Sequence, residues 1–359
     1  MNRNDSNTPG DSFPPKIPHE HKMKTQTIGT FALAHASSYR VEMVEHDVRA
    51  KRTNQMRLPC RLFVVGILLS LSLAIAKTAS ADEALTFVPV ADFPKLPADY
   101  PLGKCSAVAV NSKAEIFLFH RGKHPILCVD AEGKLLRSWG DDVIGTPHGL
   151  RVDRHDNVWV TDMGRHRVLK FDPSGKLLLA LGTGKAGTAN DEFDRPTDIA
   201  FRPKDEIFIS DGYGNSRVMK FNAEGRFVKS WGTRGTKDGE FDLPHSILHD
   251  AQGRLLVGDR ENERIQIFDD EGQWLATWNG FAPYGLAINI DGVLFVADAQ
   301  ANQVLRLDAS GKVQQRWGQK GKALGEFEVP HMLAFDALGN LIVAEVDNMR
   351  FQKFARLKK

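Results

Sequence analysis

The chain has 359 residues, a formal net charge of +2 and 42% hydrophobic residues. A nearly neutral chain of this size gives no electrostatic case for a nucleic-acid partner, and the composition is that of a globular protein. Its 31 glycines punctuate short apolar runs at regular intervals, which favours an all-β fold.

Residues 1–55 are polar and lack a sustained hydrophobic period, so they are expected to be an extension outside the fold. Residues 56–81 read as a secretory signal peptide. Arg57 and Arg61 supply the positive start, 62–76 is an uninterrupted run of apolar and small residues, and Ala79-Ser80-Ala81 fits the cleavage pattern. A membrane span needs about 20 apolar residues, so an uncleaved anchor is the weaker alternative. A leader normally opens a chain, which makes Met56 the expected start. The mature chain would then be 82–359, secreted or periplasmic, with no stable membrane insertion after cleavage. Export permits disulfides, but Cys105 and Cys128 fall on strands separated by a third. At ~4.8 Å per strand they stand too far apart to bridge, and free thiols are expected.

From residue 104 onward one unit recurs six times, at 104–140, 146–182, 195–232, 243–279, 282–318 and from 329. Each copy holds short alternating runs, as in GLRVD, NVWVTD, RVLKF and KLLLALG. Asp-Asn, Ser-Gly and Glu-Gly pairs between the runs suit tight hairpins. Four antiparallel strands per repeat of this length make a propeller blade, so the expectation is a six-bladed β-propeller. The last copy ends after three strands, and LTFVPV (85–90) should supply its missing outer strand, closing the ring. The linkers GTANDEFDRP, GTKDGEFDLP and GKALGEFEVP share a G-x₄₋₅-E-F-x₂-P pattern. With the apolar strand that follows, they resemble the NHL repeat.

The position at the start of each innermost strand reads Ser106, His148, Thr197, His245, Tyr284 and His331 through the six blades. Histidine occupies blades two, four and six, which stand 120° apart in a closed ring. One histidine here could simply line the channel. Three at strict alternation favour an open His₃ metal site, His148, His245 and His331, with zinc as the ion. The proline before each fixes the chain as it enters the strand. After the second strand, the column reads His120, Asp162, Asp211, Asp259, Asp298 and Glu345, and its carboxylates, in five of the blades, read as structural groups bonding loop amides. The next position places Arg121 in blade one and Arg260 in blade four, opposite each other, which suits an anionic substrate. Tyr213, in SDGYGNSR at the same channel mouth, is suited to act as a base. Either arginine alone would pass for a surface residue, and Tyr213 for a packing one.

FHRG (119–122), PHGL (147–150), SDGYGNSR (210–217), PHS (244–246), DRENERIQ (259–266) and the last PH (330–331) together resemble the peptidyl-α-hydroxyglycine α-amidating lyases. The resemblance implies zinc on the three histidines, Tyr213 as base, and Arg121 and Arg260 binding a substrate carboxylate and tuning the tyrosine. The substrate would be a small molecule or peptide ending in an α-hydroxyglycine, cleaved to a primary amide and glyoxylate. It also implies a calcium ion on the backbone carbonyls of Val108 and Leu150 and on a carboxylate after the third histidine. Met332 stands there instead, which weakens the case for calcium. Gly214 stands where the family has a disulfide cysteine. Two alternatives remain at this point: an exported, non-catalytic propeller that binds a protein or glycan, and a metal-dependent hydrolase on the same scaffold.

Overall fold

The computed structural model describes residues 85–357 apart from residue 203; the leader and extension expected over 1–81 lie outside them. The described residues form six four-stranded antiparallel sheets, five of them built from consecutive strands. The innermost strands are Cys105–Val110, Pro147–Val152, Pro196–Phe201, Pro244–His249, Pro283–Ile288 and Pro330–Phe335. Each contacts the innermost strand of the next blade, and the sixth contacts the first, so they line one closed channel.

The sixth sheet closes the ring as expected: Phe87–Val90 pairs antiparallel with Arg350–Arg356, in the register Phe87 opposite Arg356 to Val90 opposite Lys353. Residues between the sheets form the core. The second strands, such as Ile116–His120 and Leu255–Asp259, are buried along their whole length. A strand covered on both faces needs continuous apolar runs rather than alternation. The outer strands alternate half-buried and exposed residues, as in Phe227–Trp231 and Val313–Trp317. Cys105 and Cys128 are buried free thiols on the first and third strands of blade one.

The shared linkers are held by a repeated clamp. Phe193, Phe241 and Phe327 are buried. Arg217, Arg264 and Arg350 each donate to three linker carbonyls while pairing with Asp211, Asp259 and Glu345. Those carboxylates also accept the amides of Asp194, Asp242 and Glu328, two residues before a proline that opens an innermost strand. The carboxylate column is structural, and what it fixes is the entry to the channel strand. In blade one the Nδ1 of His120 takes this role, accepting the amides of Gly103 and Gly122. Burial holds that imidazole's pKa down at about 4.

Candidate metal centre

Every innermost strand carries the same irregularity at its start. Pro244 pairs with Asp259, yet Ser246 pairs with the very next residue, Gly258, so His245 is an extra residue without a partner. The same one-residue bulge falls at Ser106, Thr197 and Tyr284, and within 148–149 and 331–332. A bulge breaks the strict two-residue alternation and re-aims a side chain. It explains how a residue beside proline in a buried strand comes to face the channel. The pairing register was not legible in the sequence, and this device was missed there.

Bulging brings His148, His245 and His331 together, with one ring nitrogen of each lying within 4.8 Å of the others. All three are buried. Their Nδ1 atoms lie 2.7, 2.6 and 2.6 Å from the carbonyl oxygens of Thr197, Tyr284 and Ser106. A carbonyl can only accept, so each Nδ1 carries the hydrogen and each Nε2 presents a lone pair. The acceptors are the same column in the intervening blades. Odd blades thus set the tautomer of the histidines on even blades, the arrangement that orients imidazoles on a metal. Gly149 allows one of these contacts, since a Cβ there would sit 2.4 Å from Thr197 O.

The outcome is a cluster of bases without protons between them. The Nε2 atoms of His148 and His245 stand 3.1 Å apart. The Tyr213 hydroxyl lies 3.2 Å from the first and 3.3 Å from the second, and can donate to only one of them. Burial holds His148 and His245 well below the usual imidazole range, helped by the neighbouring imidazoles, by Arg260 at both and by Arg121 at His148. Burial and Arg121 push His331 down to about 3. Three neutral donors with lone pairs converging at this distance fit a divalent cation with imidazole preference, zinc among them.

Tyr213 and the two arginines are placed around this cluster. The Arg260 guanidinium is buried, lies 5.5 Å from the centre of the Tyr213 ring and 4.7 Å from that of Tyr284, and points Nη1 at the Tyr213 hydroxyl, 3.4 Å away. Its other edge is held by Glu261 at 2.7–2.8 Å. Arg121 donates through Nε to Pro147 O, beside His148, at 3.2 Å. Tyr284, which the sequence offered only as a gap between histidines, is thus a wall of the site. Its ring also lies 5.1 Å from that of His245.

Met332 stands where the calcium expectation called for a carboxylate, beside the carbonyls of Val108 and Leu150. Met332 is buried in an apolar cluster with Ala107 and Leu150. Calcium wants several hard oxygen ligands, and a thioether supplies none. The residues present do not fit the calcium that the family resemblance implied.

The NHL repeat model matches residues 145–171, which is most of blade two. Human NHL repeat-containing protein 3 is 32% identical over 290 residues, 74% of this chain and 83% of that protein. Peptidyl-glycine alpha-amidating monooxygenase B of Xenopus laevis is 31% identical over 304 residues, 72% of this chain and 34% of its own length. The chain therefore spans about a third of that relative. A Caenorhabditis elegans protein named as a probable peptidyl-alpha-hydroxyglycine alpha-amidating lyase is 32% identical over 195 residues, 46% of this chain and 56% of that protein. With a relative 32% identical and covered over 83% of its length, the chain belongs to the NHL-repeat β-propeller family that includes the peptidyl-α-hydroxyglycine α-amidating lyases and NHL repeat-containing protein 3.

Proposed function

We propose that the chain is a zinc-dependent lyase that cleaves the C–N bond of an α-hydroxyglycine (amidoglycolate) group, releasing a primary amide and glyoxylate. The observation that carries this reading is the convergence of three Nε2 lone pairs with the Tyr213 hydroxyl, 3.2 and 3.3 Å from two of them. A zinc ion there would supply Lewis acidity to a substrate oxygen and keep a coordination position open for it.

The remaining steps belong to the chain's own residues. Arg121 and Arg260 bring positive charge to the channel mouth and anchor the substrate's terminal carboxylate, fixing the orientation of the hemiaminal carbon. Tyr213, held by Arg260, takes the proton of the α-hydroxyl. The electron pair of that O–H bond forms the carbonyl of glyoxylate, the C–N bond breaks, and the proton held by Tyr213 passes to the nitrogen, which leaves as the primary amide. The substrate is a small N-acyl-α-hydroxyglycine or a peptide ending in one. We place the protein outside the cytoplasm, secreted or periplasmic; N-terminal sequencing of exported protein tests the cleavage after residue 81.

The test pairs metal analysis of purified protein with glyoxylate release from a small N-acyl-α-hydroxyglycine. About one zinc per chain and catalytic glyoxylate release are expected, with His245→Ala losing both. Zinc without glyoxylate would favour a hydrolase on the same centre. No zinc and no glyoxylate would leave a binding propeller.

A further inference from the structure

Just below the imidazoles, the channel holds a second polar cluster that the lyase reading does not use. One residue past the histidine column, the six blades read Ala107, Gly149, Asp198, Ser246, Gly285 and Met332. One carboxylate stands in this row, in blade three. Blade six, where the family resemblance called for a carboxylate, is directly across the channel from it.

Asp198 is fully buried and bound on both oxygens. Arg151 of blade two meets it with Nε at 2.9 Å from Oδ1 and Nη2 at 2.6 Å from Oδ2. The amide of Ile247 in blade four donates to Oδ2 at 3.0 Å. The same Arg151 Nη2 donates to Leu286 O of blade five at 3.1 Å. Leu286 occupies the column position of Val108 and Leu150, the two residues whose carbonyls were expected to face a calcium ion. Blades two and five are opposite each other, so the guanidinium reaches across the channel. Four of the six blades meet on this one ion pair. Beyond it, a cavity of about 240 Å³ lined by Val108, Arg151, Leu248, Ala287 and Leu333 opens toward the far end.

A buried carboxylate bound to main-chain groups and to a cation among carbonyls is the set of contacts a structural calcium makes. We propose that the Arg151 guanidinium takes the place of that calcium ion: the carboxylate has moved from blade six to blade three, and the cation that pairs with it is part of the chain. A bidentate guanidinium–carboxylate pair is self-neutralising and directional. It plugs the channel and ties the blades together with no metal below the histidines.

The test compares thermal unfolding of the full chain in calcium-depleted buffer and in millimolar calcium, with zinc held constant. The expected outcome is a Tm unchanged within about one degree and calcium content far below stoichiometric. Arg151→Ala removes the internal cation beside an intact Asp198, and should gain a calcium-dependent rise in Tm of several degrees. Arg151→Lys keeps the charge and should stay indifferent to calcium. A parent protein that binds about one calcium per chain, or melts several degrees lower without it, overturns the proposal. So does an Arg151→Ala protein that calcium leaves unmoved. Should Arg151→Ala fail to fold, the parent and Arg151→Lys arms decide.

Discussion

The channel carries two polar levels, and they are built on opposite logic. The upper one gathers three neutral imidazoles whose lone pairs face each other at 3.1 Å between His148 and His245. The lower one gathers a cation and an anion that satisfy each other, Arg151 and Asp198. The upper level is unfinished without a positive ligand, whereas the lower level is complete. The lower level pairs its own charges, and the upper level presents three Nε2 lone pairs.

Substitutions can break this contrast. The largest effect should come from Tyr213→Phe, which removes the hydroxyl beside two Nε2 atoms but no metal donor. Glyoxylate release should fall by about 10²–10⁴-fold, the usual contribution of a positioned base, with zinc content unchanged on metal analysis. At the lower level, Asp198→Asn takes the anion from a half-buried guanidinium and should cost about 1–3 kcal/mol of stability in urea unfolding. The double variant Arg151→Met, Asp198→Asn should recover part of that loss, because the two residues form one unit.

Much of this was legible in the sequence. Repeats at blade length gave the fold, because each copy had to spell out the same four strands. LTFVPV was recognisable as the closing strand by its alternation and by the short last copy. The histidines announced themselves by recurring in every second blade. What stayed hidden depends on pairing rather than on residue type. The bulges at Ser106, Thr197, Tyr284 and the histidines are visible only in the register between strands. The carbonyls of Ser106, Thr197 and Tyr284 that fix the imidazoles belong to the main chain and leave no side-chain signature. Arg151 and Asp198 lie in different rows of different blades, so no single column displays them together. Met332 did signal that calcium does not fit, but not what replaces it.

Acid should separate the channel from its supports. His120 has a folded pKa of about 4, against an ordinary value near 6.5. Between these values the unfolded chain takes up a proton that the folded one refuses, so stability falls as pH drops through that window. The contribution is about 2–3 kcal/mol by pH 4.5. His148, His245 and His331 shift in the same direction. His120→Asn retains an acceptor for the Gly103 and Gly122 amides without the titration. In zinc-free protein, its urea-unfolding free energy should decline less than that of the parent between pH 7 and 4.5. Equal declines would mean that His120 does not carry the effect.

The smallest expected effect sharpens the comparison most. Gly149→Ala removes no metal donor, but its Cβ would sit 2.4 Å from Thr197 O, which holds the Nδ1 of His148, and 3.1 Å from Asp198 Cα. Zinc affinity should weaken by about 10–100-fold, the usual cost of disturbing a group behind a metal ligand. Competition with a chromogenic chelator reads this directly, and thermal unfolding of the zinc-free protein reads the separate cost of the clash to the fold.

The strand Phe87–Val90 precedes every blade in the chain but is held by Arg350–Arg356, at the end of the last blade. No blade-by-blade assembly can therefore finish before the final strand has been made. During synthesis the first strand must wait, unpaired, while six blades are laid down. Contacts this distant in sequence slow folding. The ring has no natural first blade once it is closed, so new ends cut at a tight turn between blades, with the old ones linked, should yield the same ring by a different order of events.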